Sequence, residues 1–98
     1  MIGWLIGGLI ALIAVVAVWE TFAPFVKSIL DRYVYKYFRL FVKWLRGKFI
    51  GEVVLDGERT YERELDENEV PEEIRRRAKN VGRTDVTYDK ELRMQLGL

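Results

Sequence analysis

The sequence predicts a single-pass α-helical membrane protein: an N-terminal transmembrane helix, an amphipathic interfacial helix, and a small α+β C-terminal unit of β-β-α-β order. Three observations predict it. Residues 2–19 carry no charge. Residues 27–48 then hold seven Lys and Arg against one acid, Asp31. From residue 49 onward the chain turns polar and mildly acidic, with nine Lys and Arg against thirteen Asp and Glu. These blocks sum to a formal net charge of only +1 over 98 residues, so the sorting of charge says more than its total.

The first segment is placed at residues 1–20. Eighteen uncharged residues at about 1.5 Å each rise roughly 27 Å, close to the hydrocarbon thickness of a bilayer. Ten of them are Ile, Leu or Val, and each such residue favours insertion by roughly 0.3–0.6 kcal/mol. Trp4 and Trp19 stand near the two ends, where an indole buries its ring and keeps its N–H wet. A cleaved signal peptide would bring basic residues ahead of the apolar run and a small-x-small site after it. Neither is present, and Val18-Trp19-Glu20 is a poor cleavage site, so the span is expected to be retained. The basic block after it predicts an inner-membrane protein with its N-terminus outside and its C-terminus cytoplasmic. Gly3, Gly7 and Ala11 recur at every fourth position and form a smooth stripe suited to close helix packing.

The second segment is placed at residues 24–48. Pro24 lacks a backbone donor and interrupts the first helix or opens the next. Apolar residues then fall at 25, 26, 29, 30, 33, 37, 38, 41, 44 and 45, with cations on the opposite side, which is the period of an amphipathic helix. A soluble core helix would show the same period, but so short a chain offers little to cover so many rings. The nucleic-acid reading fails because aromatics and charges lie on different sides and no reader motif is visible. The interfacial reading accounts for both features. Rings such as Trp44 enter the headgroup boundary, while Lys27, Arg32, Lys36, Arg39, Lys43 and Arg46 meet anionic lipid headgroups at about 1 kcal/mol per cation. Burial of Tyr33, Tyr37, Phe38 and Phe41 against partner subunits is the competing reading, and the two are compatible.

The third segment, residues 49–98, opens with a predicted hairpin whose strands at 51–55 and 58–65 flank Asp56-Gly57, a pair that readily adopts positive φ. Residues 71–80 predict a helix, with Pro71 in the first turn, Glu72 and Glu73 early, cations late and Gly82 to terminate. Residues 86–96 alternate, Val86, Tyr88, Leu92, Met94 and Leu96 sharing one face. They predict a terminal strand that adds to a partner's sheet, with a helix as the alternative because residues 90–96 are good helix formers. Some fourteen apolar residues are a small supply for a domain of about fifty residues, so a second surface is expected.

The residue inventory excludes most chemistry. There is no cysteine and no histidine, which removes disulfides, thiolate metal sites, the commonest general base and the usual haem ligand. Ser28 is the only serine and has no histidine to activate it. Asp66, Glu67, Glu69, Glu72 and Glu73 lack the spacing and turn glycine of a calcium loop. The run Arg75-Arg76-Arg77 reads as a solvated helix end. No catalytic, metal or cofactor residue is therefore assigned, and neither a nucleic acid nor a small-molecule substrate is expected. The expected function is a non-catalytic accessory subunit of a larger membrane complex. Its partners would be other membrane subunits, or the chain itself, met through the transmembrane and aromatic helices. The alternatives are a self-associating pore-former of holin-like type and a membrane-tethered adaptor that recruits a cytoplasmic protein.

Overall fold

The structure, a computed structural model, describes residues 18–98. Local backbone chemistry sets the two chain reversals that build its sheet. Arg46 and Gly47 both take positive φ, 52° and 78°, the geometry of a tight two-residue hairpin turn, and join strand β1 (Phe38–Leu45) to strand β2 (Lys48–Leu55). Asp56 and Gly57, at 55° and 70°, begin the connection from β2 to strand β3 (Arg59–Leu65). A short strand β4 (Arg83–Asp85) pairs with the middle of β1. The result is a four-stranded antiparallel sheet of order β3-β2-β1-β4.

Side chains alternate across a strand, so the register assigns each residue to a face. Leu40 and Val42 of β1, Gly51 and Val53 of β2, and Tyr61 and Leu65 of β3 share the inner face. Three helices pack on this side: α1 (Phe22–Arg32), α2 (Glu72–Val81) and α3 (Lys90–Leu96), with a 3-10 turn at Glu67–Glu69 before α2. Helix α1 lies against β2 and β3, α2 against β1 and β4, and α3 against α1. The approach of α1 depends on Gly51, because a Cβ there would stand 2.4 Å from the Phe22 ring. One core joins them, from Trp19, Phe22 and Val26 through Leu40, Val42 and Val53 to Ile74, Ala78, Val86 and Leu92.

No helix covers the outer face among the described residues. An ion-pair lattice fills it instead. Glu52, only 6% exposed, is held by Arg83 at 2.7 Å and Lys43 at 3.4 Å; Lys43 also pairs with Glu62, Arg39 with Asp85, and Lys48 with Glu64. The Arg83 guanidinium lies 3.6 Å from the centre of the Phe41 ring. Arg39–Asp85, Lys43–Glu52 and Lys48–Glu64 are diagonal pairs on neighbouring strands, within reach of long side chains, while Arg83–Glu52 and Lys43–Glu62 reach across the strand between them.

Three expectations are corrected. The helix placed at 24–48 ends at Arg32, Tyr33 is extended, and residues 38–45 form β1. Phe38, Leu40, Val42 and Trp44 also obey a period of two, and in so aromatic a stretch either period fits; the Arg46-Gly47 turn and the pairing with β2 select the strand. The terminal strand at 86–96 gives way to α3, because Asp89 caps the Leu92 amide and Gly97 terminates in the left-handed region. Tyr88, Leu92 and Leu96 repeat every four residues as well as every two, which is why alternation misled.

The third correction concerns the membrane. Among the described residues no helix is long and apolar enough to cross one. The single-pass placement in an inner membrane is not sustained, nor is the orientation drawn from the basic block, whose cations spread over α1, the following loop and β1. Trp19, assigned to a membrane boundary, is fully buried and stands in a turn at φ 59°. Most of the span placed at 1–20 lies outside the described residues, and with it Gly3, Trp4, Gly7 and Ala11.

Candidate functional site

A docking surface needs apolar side chains that folding leaves uncovered, so the site is sought among large residues that stay exposed. The docking residues expected from the sequence divide sharply. Val86 and Leu92 are buried in the core. Tyr33 stacks on Tyr61 with ring centres 4.8 Å apart, and Phe38 meets Tyr35 edge-on at 5.9 Å. Phe41 lies under Arg83 on the outer face. Leu96 is half-buried against the core. Tyr37, Tyr88 and Met94 remain exposed, at 56%, 75% and 65%.

Tyr88 and Met94 border two neighbouring hollows, the first of them a groove between α2 and the segment that leads from β4 into α3. Around Tyr88 a hollow of about 330 Å³ is lined by Ile74 and Arg77 of α2 and by Asp85, Val86 and Asp89. Asp89 also borders the adjoining hollow, where Met94 stands with Val18, Pro71, Lys90, Glu91 and Gln95. The two hollows share Asp89 as a wall. That wall and its neighbours are held firmly. Asp89 Oδ1 accepts the Trp19 indole N–H at 3.1 Å and the Leu92 amide at 3.0 Å, and the Gln95 amide group donates to the Val18 carbonyl at 2.8 Å. The Arg93 guanidinium donates to the Thr87 carbonyl at 3.3 Å and lies 5.4 Å from the centre of the Tyr88 ring.

The cations expected at a lipid interface do not share a surface. Lys27 and Arg32 are exposed on α1, Lys36 is in the loop after it, Arg39 and Lys43 are engaged in the outer-face lattice, and Arg46 occupies the β1–β2 turn. Trp44 packs inward against Phe49, with the Lys79 ammonium 4.9 Å from its ring centre.

Titration properties follow the same contacts. Asp85 faces opposing influences: burial raises its pKa, but the hydroxyl and amide of Thr87 and the Arg39 guanidinium lower it further, so it stays below the ordinary carboxylate value. The Lys43 ammonium is raised, chiefly by its hydrogen bond to Glu62, whose carboxyl is lowered in turn. Asp56 is lowered by the Lys36 and Tyr37 amides, which its Oδ1 accepts at 2.7 and 3.1 Å. Burial and a hydrogen bond with Tyr33 raise the Tyr61 phenol.

Sequence reasoning did not single out Ile74, Arg77 or Asp89 as groove residues. The available signals were local: an apolar stripe on the predicted helix 71–80, the arginine run, and an Asp three residues ahead of Leu92 in a segment able to form a helix. Architecturally the described residues form a two-layer α+β domain, an antiparallel sheet with helices on one face and a groove at the helical layer's edge. No family model matches the chain, and no curated protein or solved structure proved similar to it.

Proposed function

We propose that the domain of residues 18–98 is a non-catalytic docking module, an accessory component of a larger protein assembly that binds another protein chain at the two hollows beside Asp89, where the segment from β4 enters α3. The observation that carries this reading is the placement of Tyr88 and Met94. Both are large, apolar and mostly exposed, and they border two hollows that share Asp89, the one beside Tyr88 being lined also by the buried Ile74 and Val86. A tyrosine supplies a rigid contact with a polar tip, and a methionine adapts to a partner's shape. Full burial of two such side chains is worth roughly 1.5–3 kcal/mol each, enough to anchor a modest interface. The outer sheet face is a weaker candidate, because its charges already satisfy one another. A chain without histidine or cysteine also suits binding better than chemistry.

The test is comparative purification from the native source. Tagged wild type and the double variant Tyr88→Ser/Met94→Ser are isolated side by side, with thermal unfolding as the control for folding. The same protein should accompany the wild type and be lost from the variant while the unfolding curve stays unchanged. Equal recovery from both would remove the groove as the docking site.

A further inference from the structure

A strand at the margin of a sheet carries backbone N–H and C=O groups on the side away from its neighbour, and folded proteins ordinarily shorten, cover or pair such edges. One margin of this sheet is closed in that way. Strand β4 has only three residues, and on either side of it the edge of β1 is taken up. The Trp44 amide donates to the Gly82 carbonyl at 2.9 Å, the Val86 amide to the Leu40 carbonyl at 2.8 Å, and the Leu40 amide to the Thr87 hydroxyl at 2.9 Å. The other margin is open. Strand β3 pairs with β2 over all seven of its residues, and among the described residues nothing but β2 hydrogen-bonds its amides or carbonyls. A hollow of about 410 Å³ adjoins the same strand, lined by Glu20 and Thr21 ahead of α1, by Pro24, Phe25 and Ser28 on it, and by Arg63 of β3. An edge strand with a helix beside it is an arrangement that receives extended peptides: main-chain hydrogen bonds hold the peptide, and its alternate side chains enter the pocket.

The side chains of β3 set the chemistry of the occupant. On the outer face the strand shows Thr60, Glu62 and Glu64, so an added strand lies next to two carboxylates, whereas their partners Lys43 and Lys48 stand further in, on β1 and β2. On the inner face its neighbours are the half-buried Phe25 and Pro24 of the hollow. A second copy of β3 does not fit. A two-fold pairing centred on Glu62 sets that carboxylate opposite its own copy; one centred on Arg63 sets Glu62 opposite Glu64; one centred on Tyr61 sets Arg59 opposite Arg63. Like charges directly opposite each other destabilise a sheet. We propose that the open edge of β3 takes an extended segment of another protein as a fifth strand, its residues alternating between apolar side chains over the α1 hollow and Lys or Arg beside Glu62 and Glu64. This surface is separate from the hollows beside Asp89.

The experiment is selection from an unbiased phage library of peptides about twelve residues long on the full chain, followed by measurements with synthetic copies of the enriched peptides. These should alternate apolar residues with Lys or Arg, and on binding they should slow hydrogen exchange at every second amide of residues 59–65. N-methylation along the peptide edge that faces β3 should lower affinity about tenfold or more, and along the other edge should leave it unchanged. Thr60→Lys/Glu64→Lys should weaken binding several-fold, with thermal unfolding as the control for folding, while Tyr88→Ser/Met94→Ser should not weaken it. Enrichment without basic bias, or binding that leaves the β3 amides unprotected, overturns the proposal. Peptides of the latter kind that are lost in the Tyr88/Met94 variant support the hollows beside Asp89 instead. Protection of the β3 edge in the peptide-free chain, by a second copy or by the chain's own residues, overturns the proposal equally, as does the absence of any enrichment.

Discussion

Glu69 is where a single side chain does most to join distant parts of the chain. It is 3% exposed, and its Oε2 accepts the amides of Thr21 and Phe22 at 2.7 and 3.1 Å, while Oε1 accepts the amide of Asp66 at 3.0 Å. Thr21 makes no side-chain cap of its own, so the N-terminus of α1 is capped from 48 residues away. Glu69→Ala should therefore cost about 2–3 kcal/mol in urea unfolding, the loss of a cap with buried amides left unpaired. Glu69→Gln keeps an acceptor oxygen and should cost about half of that; equal losses would show that charge, and not hydrogen bonding, is what counts. Gly51 is the other decisive residue. Its missing Cβ leaves room for the Phe22 ring, with Leu65 Cδ1 3.0 Å from the same point. Gly51→Ala should destabilise by roughly 1–3 kcal/mol through overpacking, and adding Phe22→Leu should restore part of it. A Gly51→Ala protein as stable as wild type would contradict the close approach. Neither role was visible in the sequence, where Glu69 was one of five clustered acids and Gly51 one glycine at a strand start.

Elements divide into those whose signals are local and those decided by neighbours. Helix α2 was legible because Pro71, the early acids, the late cations and Gly82 all belong to its own termini, and Gly82 does take the left-handed conformation. The Asp56-Gly57 turn was legible for the same reason. Strand β1 was not, since its apolar residues satisfy two periods at once and only its partners β2 and β4 choose between them; α3 also fits both periods, and its own caps, Asp89 and Gly97, select the helix that was the alternative reading of residues 90–96. Helix α3 has just seven residues, too few to persist alone in water, so its stability must come from docking through Leu92 and the Asp89–Trp19 bond. Trp19→Phe keeps the ring and removes that bond. It should cost about 1 kcal/mol and speed hydrogen exchange of the α3 amides more than those of β2. Exchange unchanged in α3 would mean that the indole N–H plays no part in holding it.

At the scale of the whole molecule, one core spans residues on both sides of position 49. Strand β1 lies between β2 and β4, and α1 contributes Phe22, Val26 and Ile29 beneath the sheet. A fragment of residues 49–98 should consequently show no cooperative thermal transition and poor amide dispersion in NMR spectra, whereas the full chain shows both; a folded fragment would refute the shared core. The outer-face lattice and the Asp56 clamp make acid the weak side of this domain. Asp56, Asp85 and Glu62 titrate below their ordinary values of 3.8, 3.8 and 4.5, so the native state binds protons less readily than the unfolded chain does. Their contribution is complete above those values and is lost as pH falls through the lower native ones. The midpoint of thermal unfolding should hold level from about pH 7 to pH 5 and drop steadily below about pH 4, less steeply in Glu62→Gln. Lys43 and Tyr61 act in the other sense. Their raised values stabilise the fold below about pH 10, and that share is lost above it.

What the sequence determined by itself was whatever short-range chemistry dictates: the turn at Asp56-Gly57, the course of α2, the sorting of charge into blocks, and an inventory without cysteine or histidine. What only the tertiary structure decided was which side chains end up inside. Trp19 reads as a membrane-boundary residue and is core; Tyr88 and Met94 read as one face of a strand and stand exposed beside a groove; Lys43 and Arg39 read as lipid contacts and pair with acids across the sheet. The physical reason is that periodicity records where apolar residues recur, while burial and charge pairing depend on which distant segment covers them. That covering comes from contacts 19 to 77 positions apart, beyond the reach of any local pattern.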